Sequence, residues 1–129
     1  SGARYPMAVG GYDALTNGVY IESGRGYSVD GIVKPDYVAP AVNVYTPGRL
    51  GNYGRMTGTS AAAAISAGAC ALLMEWNLDT LDNRTINSIE LRNQIINGTR
   101  RMANQLYPNR EEGYGRLDVY QAILNMRNL

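Results

Sequence analysis

The sequence predicts a layered α/β domain in which a parallel sheet packs on a buried helix. Three observations carry that expectation. Short apolar and aromatic runs separated by turn signals fill the first half, and seven of the ten tyrosines precede residue 54, where aromatic cross-strand pairs belong. The stretch from Thr59 to Trp76 is almost wholly small or apolar, long enough for a helix of about five turns. Further helical patterns follow it. Strands followed by a buried helix and covering helices point to an α/β layered piece.

Taken in order, Met7–Tyr12 reads as a short buried strand. Asn17-Gly18 closes a turn over Asp13–Gly18, and Val19–Glu22 resumes extended structure. Ser23–Gly26 reads as loop. Tyr37–Tyr45 offers two extended pieces around Pro40, which cannot donate to a central ladder. Gly48–Gly58 is glycine-rich and reads as irregular. The helix Thr59–Trp76 lacks a polar face until Glu75, which predicts burial all round. Asn83–Thr85 opens a second helical pattern with Ile86, Ile89, Leu91, Ile95 and Ile96 apolar, and Asn97-Gly98 marks its stop. Pro108–Gly115 reads as loop, and Leu117–Met126 as an amphipathic helix with Val119, Ile123 and Leu124 inward. Few helices are available to cover both faces of a parallel sheet, so the piece reads as incomplete.

Composition bounds the function. The chain has 129 residues, enough for one domain with a real core. A formal net charge of +1 gives no electrostatic reason to expect nucleic acid or a membrane as partner. The longest apolar run is broken by Ser66 and Gly68, so no membrane span is expected, and no signal peptide is expected either. Cys70 is the single cysteine and cannot form an internal disulfide; its place in the long helix predicts a core role. There is no histidine and only one lysine, Lys34. Histidine is the usual general base near neutral pH and the commonest metal ligand, so no complete Ser-His-Asp device exists in this chain alone.

The long helix opens on Gly58-Thr59-Ser60. Either Thr59 or Ser60 caps a core helix, or a nucleophile is mounted at the helix N-terminus, where its own N–H faces a developing oxyanion and the helix dipole is positive.

Four ordered segments decide how that is read. Gly58-Thr-Ser-Ala-Ala-Ala-Ala64 resembles the nucleophile signature of the subtilases, the subtilisin-like serine proteases. Lys34-Pro-Asp-Tyr-Val-Ala-Pro40 resembles the family's segment upstream of that serine. Tyr5–Gly10 resembles the strand before it, and Asn109–Asp118 the glycine turn into the last helix. The combination is similar to clostridial-type subtilases, some of which act in spore germination. The resemblance implies that residues 1–129 are the C-terminal portion of a subtilase catalytic domain, the back of a subtilisin-like fold. It implies that Ser60 is the catalytic nucleophile, that the substrate is a peptide or protein, and that no cofactor or metal takes part. The family's Asp, His and oxyanion Asn would lie in an upstream N-terminal part of the same protein. That part is then a partner, and the isolated chain is expected to be inactive. Separately, the unpaired strand edge and apolar sheet face of an incomplete sheet lead us to expect self-association, exchange of elements with a copy, or pairing with that N-terminal part. A secreted or spore-associated bacterial location is also implied. Asp36 belongs to the Lys-Pro-Asp segment and is not the triad aspartate. Ala64 and Ala41 depart from the family's proline and glycine. The rival reading is a catalytically silent relative that binds or regulates.

The other candidate residues are weaker. Gly48–Gly54 reads as flexible loop more readily than as cleft lining. Tyr5 and Asp36 fall near segments that hold a weak cation in some subtilases, but one carboxylate is poor support for six or more oxygens. Arg100-Arg101 reads as a solvated face, and the sequons at Asn83 and Asn97 recur by chance.

Overall fold

The computed structural model describes residues 5–80 and 85–127. Two four-residue strands, β1 (Val9–Tyr12) and β2 (Tyr37–Pro40), pair in parallel with Val9 opposite Tyr37 and Tyr12 opposite Pro40. On the far edge of β2, Val38 donates to the Gly115 carbonyl at 3.0 Å and accepts from the Leu117 amide at 2.8 Å. The glycine turn near the C-terminus thereby adds a third extended segment to the sheet. Pro40 falls at the last position of β2, where its missing N–H costs the ladder least. The stretch expected to resume as a strand at Val19–Glu22 makes only a bridge, Tyr12 to Val19. Its Tyr20 amide and the nearby Ser23 hydroxyl instead satisfy the carbonyl and amide of Gly11, each at 2.9 Å.

Gly48–Gly58 is not irregular. It holds a short 3-10 turn (Arg49–Gly51) and a strand, β4 (Tyr53–Met56), which pairs antiparallel with β3 (Val44–Pro47) to form a hairpin. Helix α1 runs from Thr59 to Thr80, four residues past Trp76. One face of it is buried: Ala61, Ala62, Ser66, Ala69, Leu73 and Asn77. Ala63, Ala64, Ala67, Leu72 and Met74 on the other side are exposed within this chain, so the expectation of burial all round holds for one face only. By length and hydropathy α1 would suffice to cross a bilayer. Its buried face packs on β1 and β2 and carries hydrogen-bonded polar groups.

Helix α2 (Ser88–Gly98) starts later than Asn83–Thr85 suggested, because Asn87 forms a capping box with Glu90 and fixes the first turn there. Residues 83 and 84 lie outside the described residues. Helix α3 (Val119–Arg127) buries Ala122, and Val119, Ile123 and Met126 pack at the edge of the core. Gly98 lets α2 and α3 touch: a Cβ there would sit 2.6 Å from the Ala122 backbone.

Two clusters make the core. Tyr37, Leu73, Leu91, Ile95 and Ala122 join the sheet to all three helices. Ala39, Ala41 and Ala62 form a smaller one beneath the start of α1, where short side chains allow the helix to lie close on β2. Cys70 lies half-buried at the first cluster, and burial pushes its thiol above the ordinary value, so it stays protonated. A buried ion pair lies in the C-terminal glycine turn, and its arginine also reaches back to the turn at Asn17. Arg116 donates to Glu112 at 3.0 Å and to Asn17 Oδ1 at 2.9 Å, and its guanidinium lies 4.7 Å from the Tyr12 ring centroid.

Candidate functional site

The route into α1 is set by backbone. Gly58 has φ +147°, a conformation that a side chain would strain, and its amide donates to the Ala41 carbonyl at 2.7 Å. Thr57 Oγ1 accepts from the Asn43 amide at 2.9 Å. The turn before the helix is therefore fastened to the end of β2. Thr59 and Ser60 follow at once as the first helical residues, and the Ser60 side chain is exposed.

Capping does not explain the two hydroxyls. Gly58, which has no side chain, stands at the cap position, and neither Thr59 nor Ser60 makes a side-chain hydrogen bond among the described residues. No backbone carbonyl among them accepts from the Ser60 amide, and no carboxylate lies in the first turn of α1. Among the described residues, the helix N-terminus thus presents an N–H and a hydroxyl without a partner and the positive end of a 22-residue dipole at one point. Such an arrangement can stabilise an anionic oxygen next to an attacking hydroxyl.

Beside it lies a recess of about 550 Å³. Val9 and Gly10 of β1, Arg25 and Tyr27 of the loop after Ser23, Pro35 and Thr59 contribute to its wall. Arg25 is held on Glu111 at 3.3 Å. The sequence shows Ser23–Gly26 only as loop, because their partner in the wall, Thr59, is distant along the chain. Gly48–Gly54 lies outside this wall and forms the hairpin turn and the start of β4.

Asp36 is fully buried beneath the recess, and both its oxygens are engaged. Oδ2 accepts from Lys34 Nζ at 2.7 Å and from the Ala8 amide at 2.8 Å. Oδ1 accepts from Arg92 at 2.7 and 3.1 Å. Burial acts to raise this carboxyl, but the bonds from Lys34, Ala8 and Arg92 together outweigh it and hold the group below 3.8. Lys34 and Arg92 thus occupy the positions around the carboxylate, while Tyr5 is exposed. Tyr37 shares a hydrogen bond with Ser66 of α1, and burial pushes its phenol up to about 12. It remains neutral and serves packing. Among the described residues no three His, Cys, Asp or Glu side chains group as metal ligands. The departure at Ala41 is matched across the sheet by Gly11, where a Cβ would lie 2.4 Å from that of Ala41. Ala64 is exposed in the second turn of α1. Arg100 and Arg101 are exposed, and Arg101 also donates to the Tyr114 carbonyl at 2.9 Å.

A family model described as the subtilase family matches residues 1–115. Among solved structures, the CspB protease of Clostridium perfringens is similar over 95% of this chain and 27% of its own, with a TM-score of 0.88 and 30% identity. The prenylagaramide maturation protease PagA matches with a TM-score of 0.74 and 20% identity, over 95% of this chain and 43% of its own. The self-cleaved protease domain of PatA matches with a TM-score of 0.71 and 23% identity, over 95% of this chain and 42% of its own. The last two share the fold alone. The chain spans well under half the length of each of these structures. No curated protein matches it.

Proposed function

This chain belongs to the subtilase family, and on that premise we propose that it is the C-terminal portion of a serine endopeptidase catalytic domain with Ser60 as nucleophile. The observation that supports this most directly is the start of α1: an exposed hydroxyl and an unengaged amide on one residue, entered through a glycine turn fastened to the sheet. The Ser60 hydroxyl attacks the carbonyl of a peptide bond, and the Ser60 amide receives the oxyanion that forms. A base must take the hydroxyl proton and pass it to the leaving amine, after which water releases the acyl group. This chain has no histidine. Lys34, the one lysine, is buried and bonded to Asp36. We therefore assign the base and its aspartate to the upstream part of the same protein. The exposed face of α1, with Ala63, Ala64, Ala67 and Leu72, is the surface against which that part packs.

The test is active-site labelling in the longest natural polypeptide that contains this chain. A fluorophosphonate should modify Ser60, identified by peptide mass, and Ser60→Ala should abolish both labelling and peptide cleavage. Cleavage that survives Ser60→Ala overturns the assignment. Binding of peptides with neither labelling nor cleavage would favour the silent relative instead.

A further inference from the structure

The β3–β4 hairpin carries a surface that the chemistry at Ser60 does not use. Its register sets Tyr45 opposite Arg55 and Pro47 opposite Tyr53, so Tyr45, Tyr53 and Arg55 share one face. The two tyrosine rings stack with centroids 5.2 Å apart and planes 9° apart. The Arg55 guanidinium lies 6.0 Å from the Tyr45 centroid, steadied by a bond from Nη1 to the Asn43 carbonyl at 3.0 Å. Within this chain the face is exposed: Tyr45 is 67% exposed, Tyr53 65%, and every residue of β4 is exposed.

Charge selects what such a face accepts. From Tyr37 to Met74 the sequence has no acidic residue, and its charged side chains are Arg49, in the hairpin turn, and Arg55. Neither has a carboxylate partner among the described residues. A planar guanidinium matches a carboxylate with two parallel hydrogen bonds, and stacked rings offer a flat apolar shelf for a chain lying across them. Tyr53 precedes Ser60 by seven residues, so at most about 24 Å of chain separates them.

We propose that this hairpin face docks an acidic segment of the polypeptide substrate, several residues from the bond that is cut. The proposal rests on Ser60 as the nucleophile for its place in catalysis. Exposed ion pairs are individually weak and screened by salt, so the surface ranks substrates by their flanking charge rather than holding one irreversibly.

The experiment uses the longest natural polypeptide containing this chain and peptides that share one cleavage sequence. They carry Glu-rich, Gln-rich or Lys-rich flanks on either side of it. At low salt kcat/KM should fall in the order Glu, Gln, Lys, by about fivefold between the extremes, and the spread should shrink at high salt. The double variant Arg49→Glu/Arg55→Glu should reverse the order, a result that misfolding cannot produce. Equal kcat/KM for the three flanks, or an unreversed order in the double variant, overturns the proposal. Equilibrium binding of the same fluorescent peptides to the Ser60→Ala protein separates the two readings. Tighter binding of the Glu-flanked peptide supports the docking face even where Ser60 proves not to be the nucleophile. Equal binding of all three rejects the face even where Ser60 is confirmed.

Discussion

Replacing Asp36 by asparagine removes one negative charge from a fully buried position and leaves the shape of its surroundings almost unchanged. In the native protein that charge faces two cations, Lys34 at 2.7 Å and Arg92 at 2.7 Å. Their fates after Asp36→Asn differ. The Arg92 side chain is 30% exposed and can turn towards water. The Lys34 side chain is 7% exposed; its ammonium loses its ionic partner and is left with neutral acceptors, the asparagine oxygen and the Pro6 carbonyl at 3.4 Å. Stranding one member of a buried pair costs about 3–5 kcal/mol. Because Arg92 recovers solvent, the lower end applies, about 3 kcal/mol. With a urea slope of about 1.5 kcal/mol/M, the unfolding midpoint should drop by about 2 M with the slope unchanged. Adding Lys34→Met should restore most of the loss, since the stranded ammonium is its source. A midpoint shift below about 0.3 M, or a double variant no more stable than Asp36→Asn, would refute this reasoning.

The same carboxylate gives a pH dependence. Its folded value lies below the unfolded one, so its contribution is complete above the unfolded value and is lost as pH falls through the folded value. Urea midpoints taken from about pH 6 down to about pH 2 should fall more steeply in the native protein than in Asp36→Asn, and parallel curves would contradict it. Gly98→Ala drives a methyl into the Ala122 backbone at 2.6 Å and should cost about 1–3 kcal/mol by thermal unfolding; an unchanged melting temperature would show that α2 and α3 give way freely. The isolated 129-residue chain should hydrolyse no peptide and take up a fluorophosphonate slowly, since it contains no histidine; fast stoichiometric labelling would reveal another activating group.

What the sequence displayed well was local and strongly patterned. Gly58-Thr59-Ser60 marked the start of α1 because a turn glycine met an unbroken run of helix formers. The apolar run ending at Tyr12 and the extended pieces around Pro40 emerged as β1, β2 and β3. The strand β4 was hidden, because Gly48, Gly51 and Gly54 read as loop and the stabilising stack joins Tyr45 to Tyr53 across the ladder. The start of α2 was obscured because Asn87 and Glu90 cap each other later than the first polar cluster suggests. Long-range pairings left no local trace. Nothing near Asn17 announces Arg116, and nothing near Asp36 announces Arg92. The wall of the recess beside Ser60 was invisible for the same reason.

The bond from the Gly58 amide to the Ala41 carbonyl divides the labour of this region. It closes a knot at the root of the hairpin, so the direction of the Ser60 hydroxyl is inherited from the sheet and not from the hairpin tip. Residues 45–54 can therefore drift in charge, length or aromatic content while the aim of the serine stays fixed. Selection can then retool the proposed docking face without disturbing the proposed nucleophile. Changes at Ala41, Thr57 or Gly58 enjoy no such freedom, because each of them would turn the start of α1 and the Ser60 side chain with it.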